Sequence, residues 1–196
     1  MLKKTLKAVC EAVWWYPFEI EEVNFKGNGL VGEDIGLLLT SLELKFHTIL
    51  KLNLFENKIG FKGAEYLSKA LSIIPLQELN LGSNHLGDEA VYTILWGFVE
   101  SANPIWLSTL VLSNNEIGWT TSFRKVVDQL CQLIKCDSLT TLDMSWNNLK
   151  GDLSRQIAMA MESLEMLQTI NFAQNLLGAS HDNSEPPIYA FTECLN

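Results

Sequence analysis

The sequence predicts an α/β solenoid, a short horseshoe arc with six parallel strands on its concave face and helices on its convex face. The first observation is a pattern that occurs six times: two apolar residues, one residue apart, with asparagine three positions later. The asparagines recur at intervals of 27 to 32 residues and are Asn28, Asn57, Asn84, Asn115, Asn147 and Asn175. Self-similarity at such a period indicates stacked repeats. The second observation is an apolar stripe at helical spacing between the asparagines.

The second copy shows why each pattern predicts a strand followed by a turn. Leu52 and Leu54 alternate with their neighbours, which is the period of two expected of a strand with one buried face. Asn57 follows where the chain must turn, and its amide can bond backbone groups that leave the sheet. Ile59 then returns to the core, and Gly60 permits the turn into the next element. Stacked copies therefore predict a ladder of asparagine side chains.

The helical half of the second copy places Ala64, Leu67, Ala70 and Leu71 on one face. Further helical halves are predicted at residues 33–45, 87–102, 120–135 and 152–166. A helix between consecutive strands forms a crossover, so the strands run parallel and a continuous core lies between sheet and helices.

The motif L-x-x-L-x-L-x-x-N-x-[IL]-G is matched closely from Leu76 to Gly87 and again from Leu107 to Gly118. On these residues the chain resembles the leucine-rich repeat, specifically its ribonuclease-inhibitor-like subtype with long repeats and full helices. The resemblance covers about residues 20–178, which we expect to form six repeats. It implies a protein-binding fold without fixing one function, because the family includes inhibitors, receptors and GTPase activators.

The segments on either side of the repeats are predicted to cap them. Residues 1–19 are expected to form an amphipathic capping helix rather than a cleaved signal, and residues 179–196 a loop and C-terminal cap. The residues expected to cover the first repeat are Leu2, Leu6, Val9, Trp14, Trp15 and Phe18. The short chain and its polar, acidic tail also resemble stand-alone repeat effectors of intracellular, Legionella-like bacteria. That resemblance implies a cytosolic protein, translocated into a host cytosol, with the tail as either a cap or a translocation signal.

The composition restricts the classes of partner. Hydrophobic residues are 47% and charged residues 19%, as in ordinary globular domains. Residues 1–69 hold nine lysines and nine acidic residues, so residues 70–196 carry the whole net charge of −9. Because an acidic surface repels phosphates, we expect neither a nucleic-acid nor a membrane partner. Two interpretations of the acidic part stay open: simple solubility, or steering of a basic partner.

No pattern predicts catalysis, and we expect no enzyme activity, metal or cofactor. The cysteines and histidines, none in a recognisable catalytic or metal motif, are Cys10, Cys131, Cys136, Cys194, His47, His85 and His181. The cysteines are interpreted as reduced thiols, which favours a reducing compartment. Arg124 and Arg155 both lie in predicted helical halves, so an arginine finger from the concave face is not expected.

Outward-facing strand residues and the adjoining turn form the predicted partner-binding surface. The candidates are Lys51, Asn53, Phe55, Glu78, Asn80, Val111, Ser113, Asp143, Ser145 and Trp146. Phe55, Val111 and Trp146 are the expected anchors, because exposed apolar residues rimmed by polar groups are typical of binding hot spots. In the alternative, short polar residues merely suit a crowded concave sheet, while Phe55 packs along its neighbours and Trp146 covers the turn. Trp106 and Trp119 are candidate loop-edge contacts, and Trp96 is expected to pack within its helix.

The sequence thus predicts a non-catalytic protein-binding module that is monomeric when free. In the main hypothesis, its concave face covers a partner enzyme, a host protein or a fellow effector, and inhibits or regulates it by occlusion. In the alternatives it is an adaptor that recruits a substrate, or a GTPase-regulating repeat protein. A stand-alone enzyme, which would depend on Asp143, is the hypothesis that the residues favour least.

Overall fold

The computed structural model describes residues 2–101, 105–135, 138–150 and 166–177. It contains one sheet in which six parallel strands pair in chain order, so the predicted solenoid is confirmed. The strands are β1 (Glu22–Asn24), β2 (Lys51–Asn53), β3 (Glu78–Asn80), β4 (Thr109–Val111), β5 (Thr141–Asp143) and β6 (Thr169–Asn171). Equivalent residues of neighbouring repeats pair directly, so each outward position forms a row across the sheet.

Helices connect the strands on the opposite side. They are α1 (Leu2–Trp15), α2 (Gly32–Leu42, continued by a 3-10 turn at Glu43–Lys45), α3 (Gly60–Leu71), α4 (Gly87–Val99) and α5 (Phe123–Ile134). Each packs against the next one along the chain. The helix predicted at 152–166 and the segment 179–196 lie outside the described residues. Within those residues, no helix combines the length and the apolar character that crossing a bilayer requires.

α5 begins three residues later than the sequence predicted, at Phe123 instead of residue 120. The buried carboxylate of Asp88 is the physical reason. Its Oδ1 accepts a hydrogen bond from the Gly118 N–H at 2.7 Å, and its Oδ2 accepts from the Thr120 N–H and hydroxyl, each at 2.8 Å. These bonds hold the chain in turns before the helix and join the third repeat to the fourth.

The core lies between sheet and helices, as the alternation predicted. The central residue of the first five strands is buried, namely Val23, Leu52, Leu79, Leu110 and Leu142. The helices cover this row with buried side chains such as Ile35, Leu67, Ile94 and Leu130. Truncating one such leucine to alanine typically costs about 2–5 kcal/mol, so these residues fix the inward face of every repeat.

The asparagine ladder has two parts, a donor side and an acceptor side. In the second repeat, Asn57 Nδ2 donates to the carbonyls of Phe25 at 3.0 Å and Leu54 at 2.8 Å, while its Oδ1 accepts from the Leu30 N–H at 2.9 Å. The same donor bonds, one to the preceding repeat and others within the repeat, are made by Asn84, Asn115, Asn147 and Asn175. Asn28 is exposed, and its amide donates to the Lys26 carbonyl at 3.1 Å. Each interior asparagine therefore links two adjacent repeats.

A left-handed residue precedes every ladder asparagine, which the sequence did not suggest. The six residues and their φ angles are Gly27 (69°), Glu56 (58°), Ser83 (56°), Asn114 (52°), Trp146 (57°) and Gln174 (58°). This conformation costs a residue other than glycine about 1–2 kcal/mol. The repeat therefore imposes this backbone conformation before the asparagine in all six copies, although the side chains found there differ.

The N-terminal helix covers the first repeat with only part of the predicted set of residues, of which Leu6 is buried. Leu6 and Cys10 are buried and Val13 is partly buried, at the spacing of one helical stripe that packs toward α2. Four residues expected to cap the repeat are exposed instead: Val9, Trp14, Trp15 and Phe18. The side chain of Leu2 lies outside the description. The aromatic residues at the end of α1 therefore face solvent.

Candidate functional site

The outward side chains form two rows across the strands. The first residues of the strands give the row Glu22, Lys51, Glu78, Thr109, Thr141 and Thr169. The third residues give the row Asn24, Asn53, Asn80, Val111, Asp143 and Asn171. Five predicted site residues line a shallow cavity of about 140 Å³ on this face: Lys51, Asn53, Glu78, Asn80 and Val111. The structure thus brings this part of the predicted surface together.

Charged groups in the first three repeats neutralise one another. Lys51 Nζ lies 2.5 Å from Glu78 Oε1. The hydrogen bond to Glu78 and its negative charge, together with the charge of Glu22, raise the pKa of the Lys51 ammonium. The pair is solvent-exposed, so it contributes little to stability. The pair matters more for binding, because a ligand group that pairs with Lys51 must displace Glu78, and one that pairs with Glu78 must displace Lys51.

Phe55 packs along the sheet, as the alternative interpretation proposed. A Cβ atom at Gly82 would lie 2.8 Å from Phe55 Cδ2, so the glycine makes room for the ring. Lys26 Nζ lies 4.8 Å from the ring centroid on the concave face, within the range of a cation–π contact. The ring is only half-buried, but its contacts are already made within the chain.

The row of short polar residues has a structural role. In five repeats the side-chain Oδ1 accepts a hydrogen bond from the backbone N–H two residues later, at 2.9–3.1 Å: Asn24 from Lys26, Asn53 from Phe55, Asn80 from Gly82, Asp143 from Ser145 and Asn171 from Ala173. Such bonds mimic a backbone turn and complete the end of the strand. Each residue therefore keeps only part of its hydrogen-bonding capacity for a partner.

Two predicted contact residues, Ser113 and Ser145, lie below the surface. Ser145 is buried, and its hydroxyl donates to Asp143 Oδ1 at 2.7 Å. Ser113 has 9% of its surface exposed. These two small side chains are therefore largely buried beneath the concave surface instead of projecting from it. Ser145 is consequently committed to Asp143, whereas Ser113 differs because Val111 supplies no acceptor.

Trp146 is the most exposed of the predicted anchors. Its side chain has 62% of its surface exposed, so it does not pack over the turn. Its backbone has φ +57°, and its N–H donates to the Ala173 carbonyl at 2.9 Å. The equivalent residue of every other repeat also has a positive φ, so this conformation belongs to the repeat and a bulky side chain in it is unusual. The structure therefore holds the backbone of Trp146 and leaves its indole exposed at the rim where strand becomes turn.

Trp106 and Trp119, the candidate loop-edge residues, do not form one contact surface. Trp106 precedes β4 and lines a cavity of about 210 Å³ together with Ile73 and Phe98. Trp119 is exposed and follows β4, at the opposite end of the strands. The expectation that Trp96 packs within its helix was wrong, because 46% of its surface is exposed. The two candidate loop-edge residues therefore lie on different edges.

No arrangement for chemistry is found in the described residues. They contain no group of three or more His, Cys, Asp and Glu side chains able to hold a metal. His85 Nδ1 lies 2.8 Å from Glu116 Oε1 in an exposed pair. Cys10 is buried, and burial raises the pKa of the partly buried Cys131 thiol, so neither has the features of a reactive nucleophile. The other residues considered for chemistry, Cys136, Cys194, His181 and Arg155, lie outside the description.

Comparison with known proteins agrees with the geometry. A family model described as "Leucine Rich repeat" matches residues 47–68, 74–95 and 135–152. The Tonsoku-like protein of Mus musculus is 34% identical over 143 residues, 69% of this chain. The chain spans only 10% of the length of that relative.

Two solved structures share the architecture. Leiomodin-1 actin-binding site 2 is 16% identical with a TM-score of 0.51, over 95% of this chain and 84% of that one. The tropomodulin C-terminal domain of Caenorhabditis elegans is 16% identical with a TM-score of 0.50, over 97% of this chain and 90% of that one. The protein therefore carries leucine-rich repeats, and its fold is a leucine-rich-repeat solenoid. At this identity the similarity to the two structures extends to fold alone.

Proposed function

We propose that this protein is a non-catalytic interaction module that holds a partner protein against its concave face. The observation that carries the proposal is the indole of Trp146, which is largely exposed on a backbone held at the rim of the sheet. Tryptophan is enriched among residues that dominate binding energy at interfaces. The ladder beneath it holds the backbone in place, so little conformational freedom is lost when a partner binds.

The mode of action that we favour is occlusion of a partner enzyme. A rigid curved sheet presents several repeats at once and can cover a concave or protruding active site without contributing catalytic groups. This is the behaviour implied by the ribonuclease-inhibitor-like resemblance. In the effector version of the proposal, the protein acts in a host cytosol on a host protein or on another effector of the same bacterium.

The adaptor hypothesis uses the same surface and differs in its consequence for the partner. A GTPase-regulating role has less support, since Arg124, the arginine in the described part of the chain, is exposed on α5 on the helical side of the molecule. The fold-level similarity to leiomodin-1 actin-binding site 2 does not by itself favour actin.

The test is a comparison of partners captured by wild type, Trp146→Ala and the control Trp15→Ala. Trp15 is a tryptophan with 81% of its surface exposed at the other end of the chain. A partner retained by wild type and Trp15→Ala but lost by Trp146→Ala is then purified, and its affinity and activity are measured with the full chain. Loss of activity supports occlusion, and retained activity supports the adaptor. Equal affinity for all three proteins would refute the proposed surface.

A further inference from the structure

The fourth repeat breaks the regular pattern of the concave face. In the other five repeats, an Asn or Asp oxygen accepts the hydrogen bond of the backbone N–H two residues later. Val111 occupies that position in β4 and has no oxygen to offer. In the described part of the chain, no side chain therefore satisfies the Ser113 N–H, although Ser113 occupies the same position in its repeat as the five residues whose N–H groups are satisfied.

The hydroxyl of Ser113 is also without a partner among the described residues. The side chain is nine-tenths buried, with 9% of its surface exposed, yet makes no hydrogen bond there. Its Oγ and Cδ2 of the Phe55 ring each lie 2.8 Å from the point where a Cβ on Gly82 would be, so the hydroxyl and the ring share the space above the glycine. This oxygen is not one of the fully buried, unpartnered side-chain atoms of the described residues, so it stays open to a hydrogen-bonding partner. The adjacent N–H and O–H of Ser113 form what we call the Ser113 notch.

The neighbouring repeat places a carboxylate oxygen beside the notch. Asp143 pairs with Val111 across β4 and β5. Its Oδ1 accepts from the Ser145 N–H at 2.9 Å and from the Ser145 hydroxyl at 2.7 Å. Its Oδ2 makes no hydrogen bond or ion pair within the described residues. Trp146 then stands at the rim of the same repeat, exposed and with its backbone fixed.

Charge and side-chain size favour one kind of occupant. The outward residues of β4, β5 and β6 include no Lys or Arg, and Asp143 is their single charged residue. The first row there consists of the small residues Thr109, Thr141 and Thr169. Residues 70–196 carry the whole net charge of −9. By contrast, the lysine of β2 is already paired with Glu78.

We propose that the Ser113 notch binds an extended, basic segment of the partner protein. A main-chain carbonyl of that segment accepts hydrogen bonds from the Ser113 N–H and hydroxyl. A lysine or arginine of the same segment pairs with Asp143 Oδ2 and lays its stem against Trp146, where the ring face attracts a cation. This inference rests on the proposed function and specifies which repeats contact the partner and with which chemistry.

The substitution Val111→Asn tests the notch directly. Asparagine at this position provides the side-chain acceptor found in the five other repeats. It therefore occupies the Ser113 N–H within the chain and leaves Ser113, Asp143 and Trp146 in place. Val111→Ala is the matched variant that leaves the notch open. Asp143→Asn removes the charge and keeps an Oδ1 acceptor for Ser145. Trp15→Ala controls for the loss of an exposed tryptophan elsewhere.

The probe is a short capped peptide that alternates lysine with alanine, compared with a glutamate–alanine peptide of equal length. Both are titrated into the ¹⁵N-labelled full chain at physiological ionic strength, and the amide of Ser113 and the indole N–H of Trp146 are followed by NMR. We expect saturable shifts of both signals with the lysine peptide alone. Val111→Asn and Asp143→Asn should each weaken binding about tenfold, Val111→Ala should weaken it less than Val111→Asn does, and Trp15→Ala should retain it.

Three outcomes would overturn the inference: equal binding by Val111→Asn, shifts spread over the acidic surface instead of at Ser113, or no saturation at about 1 mM peptide. If Val111→Asn does not fold, Asp143→Asn decides the question, since tenfold weaker binding supports the notch and unchanged binding rejects it. None of these results depends on partner capture. A captured partner that requires Trp146 but not the notch would preserve the proposed function and remove this inference alone.

Discussion

Substitutions of Trp146 can separate the effect of its side chain on binding from the effect of its backbone conformation on stability. Its φ of +57° is unfavourable for alanine and tryptophan but not for glycine. Replacing it with either alanine or glycine removes the same indole, so the two variants differ only in backbone preference. Relief of the left-handed conformation favours glycine by about 1–2 kcal/mol, and the greater freedom of unfolded glycine opposes this by about 0.5–1 kcal/mol. We therefore expect Trp146→Gly to be more stable than Trp146→Ala by about 0.5–1 kcal/mol.

The assay is urea unfolding followed by circular dichroism, supported by thermal melts. For a domain of this size, that difference corresponds to a Tm about 2 °C higher for the glycine variant. Trp119 provides the matched pair, because it is also exposed but does not have a positive φ. There the order reverses, and Trp119→Gly should be less stable than Trp119→Ala by about 0.5–1 kcal/mol.

Binding should follow a different rule from stability. Both variants of Trp146 lack the indole, so both should lose about 2 kcal/mol or more of partner affinity regardless of which is more stable. Equal stability of the Trp146 pair, or the same order as in the Trp119 pair, would refute the argument from backbone strain. Retained affinity in either variant would refute the argument that the indole is an anchor.

The remaining predictions concern the groups that support the surface. Asn115→Ala removes three donor bonds to backbone carbonyls and leaves the buried Asn84 N–H without its acceptor, so it should cost about 3 kcal/mol, measured by urea unfolding. The exposed Asn28→Ala should cost under about 0.5 kcal/mol; similar losses in both would contradict the ladder. Asp88→Ala removes the acceptor of three hydrogen bonds between repeats and should cost about 3 kcal/mol, so a loss below about 1 kcal/mol would show that the turn before α5 does not need it. Gly82→Ala should displace the Phe55 ring at a cost of about 1 kcal/mol, visible as shifts of the ring protons by NMR; an unmoved ring would show that the glycine is not required for its packing.

The strands, the core rows and the ladder followed from the sequence because each depends on residue type at a fixed spacing. Leu52 and Leu54 face inward whatever the rest of the chain does, and Asn57 is the one side chain in its turn able to bond two levels of backbone. The conformation of Trp146 did not follow, since nothing in tryptophan favours a positive φ and the stacked neighbours impose it. The start of α5 depended on Asp88, which belongs to the previous repeat and forms no local pattern with it.

The candidate surface was predictable in outline only. Alternation identified which residues point outward, and these residues do lie on the concave face. It did not distinguish Asn80, whose oxygen is used by its own turn, from a residue free to contact a partner. Nor did it reveal that Phe55 rests over Gly82, because contacts between side chains of different repeats are invisible to a pattern within one repeat. The Ser113 notch is recognised only when all six repeats are compared in space.

The ladder has a consequence for how this molecule can change in length. The side chain of every interior asparagine bonds only to its own repeat and to the one before it, so no repeat holds contacts that skip a neighbour along this row. Duplication or loss of one interior unit would leave donors facing acceptors at the new junction, apart from particular links such as Asp88. The arc can therefore be lengthened or shortened by whole modules, and its surface recombined, while the rules that fold each module stay the same.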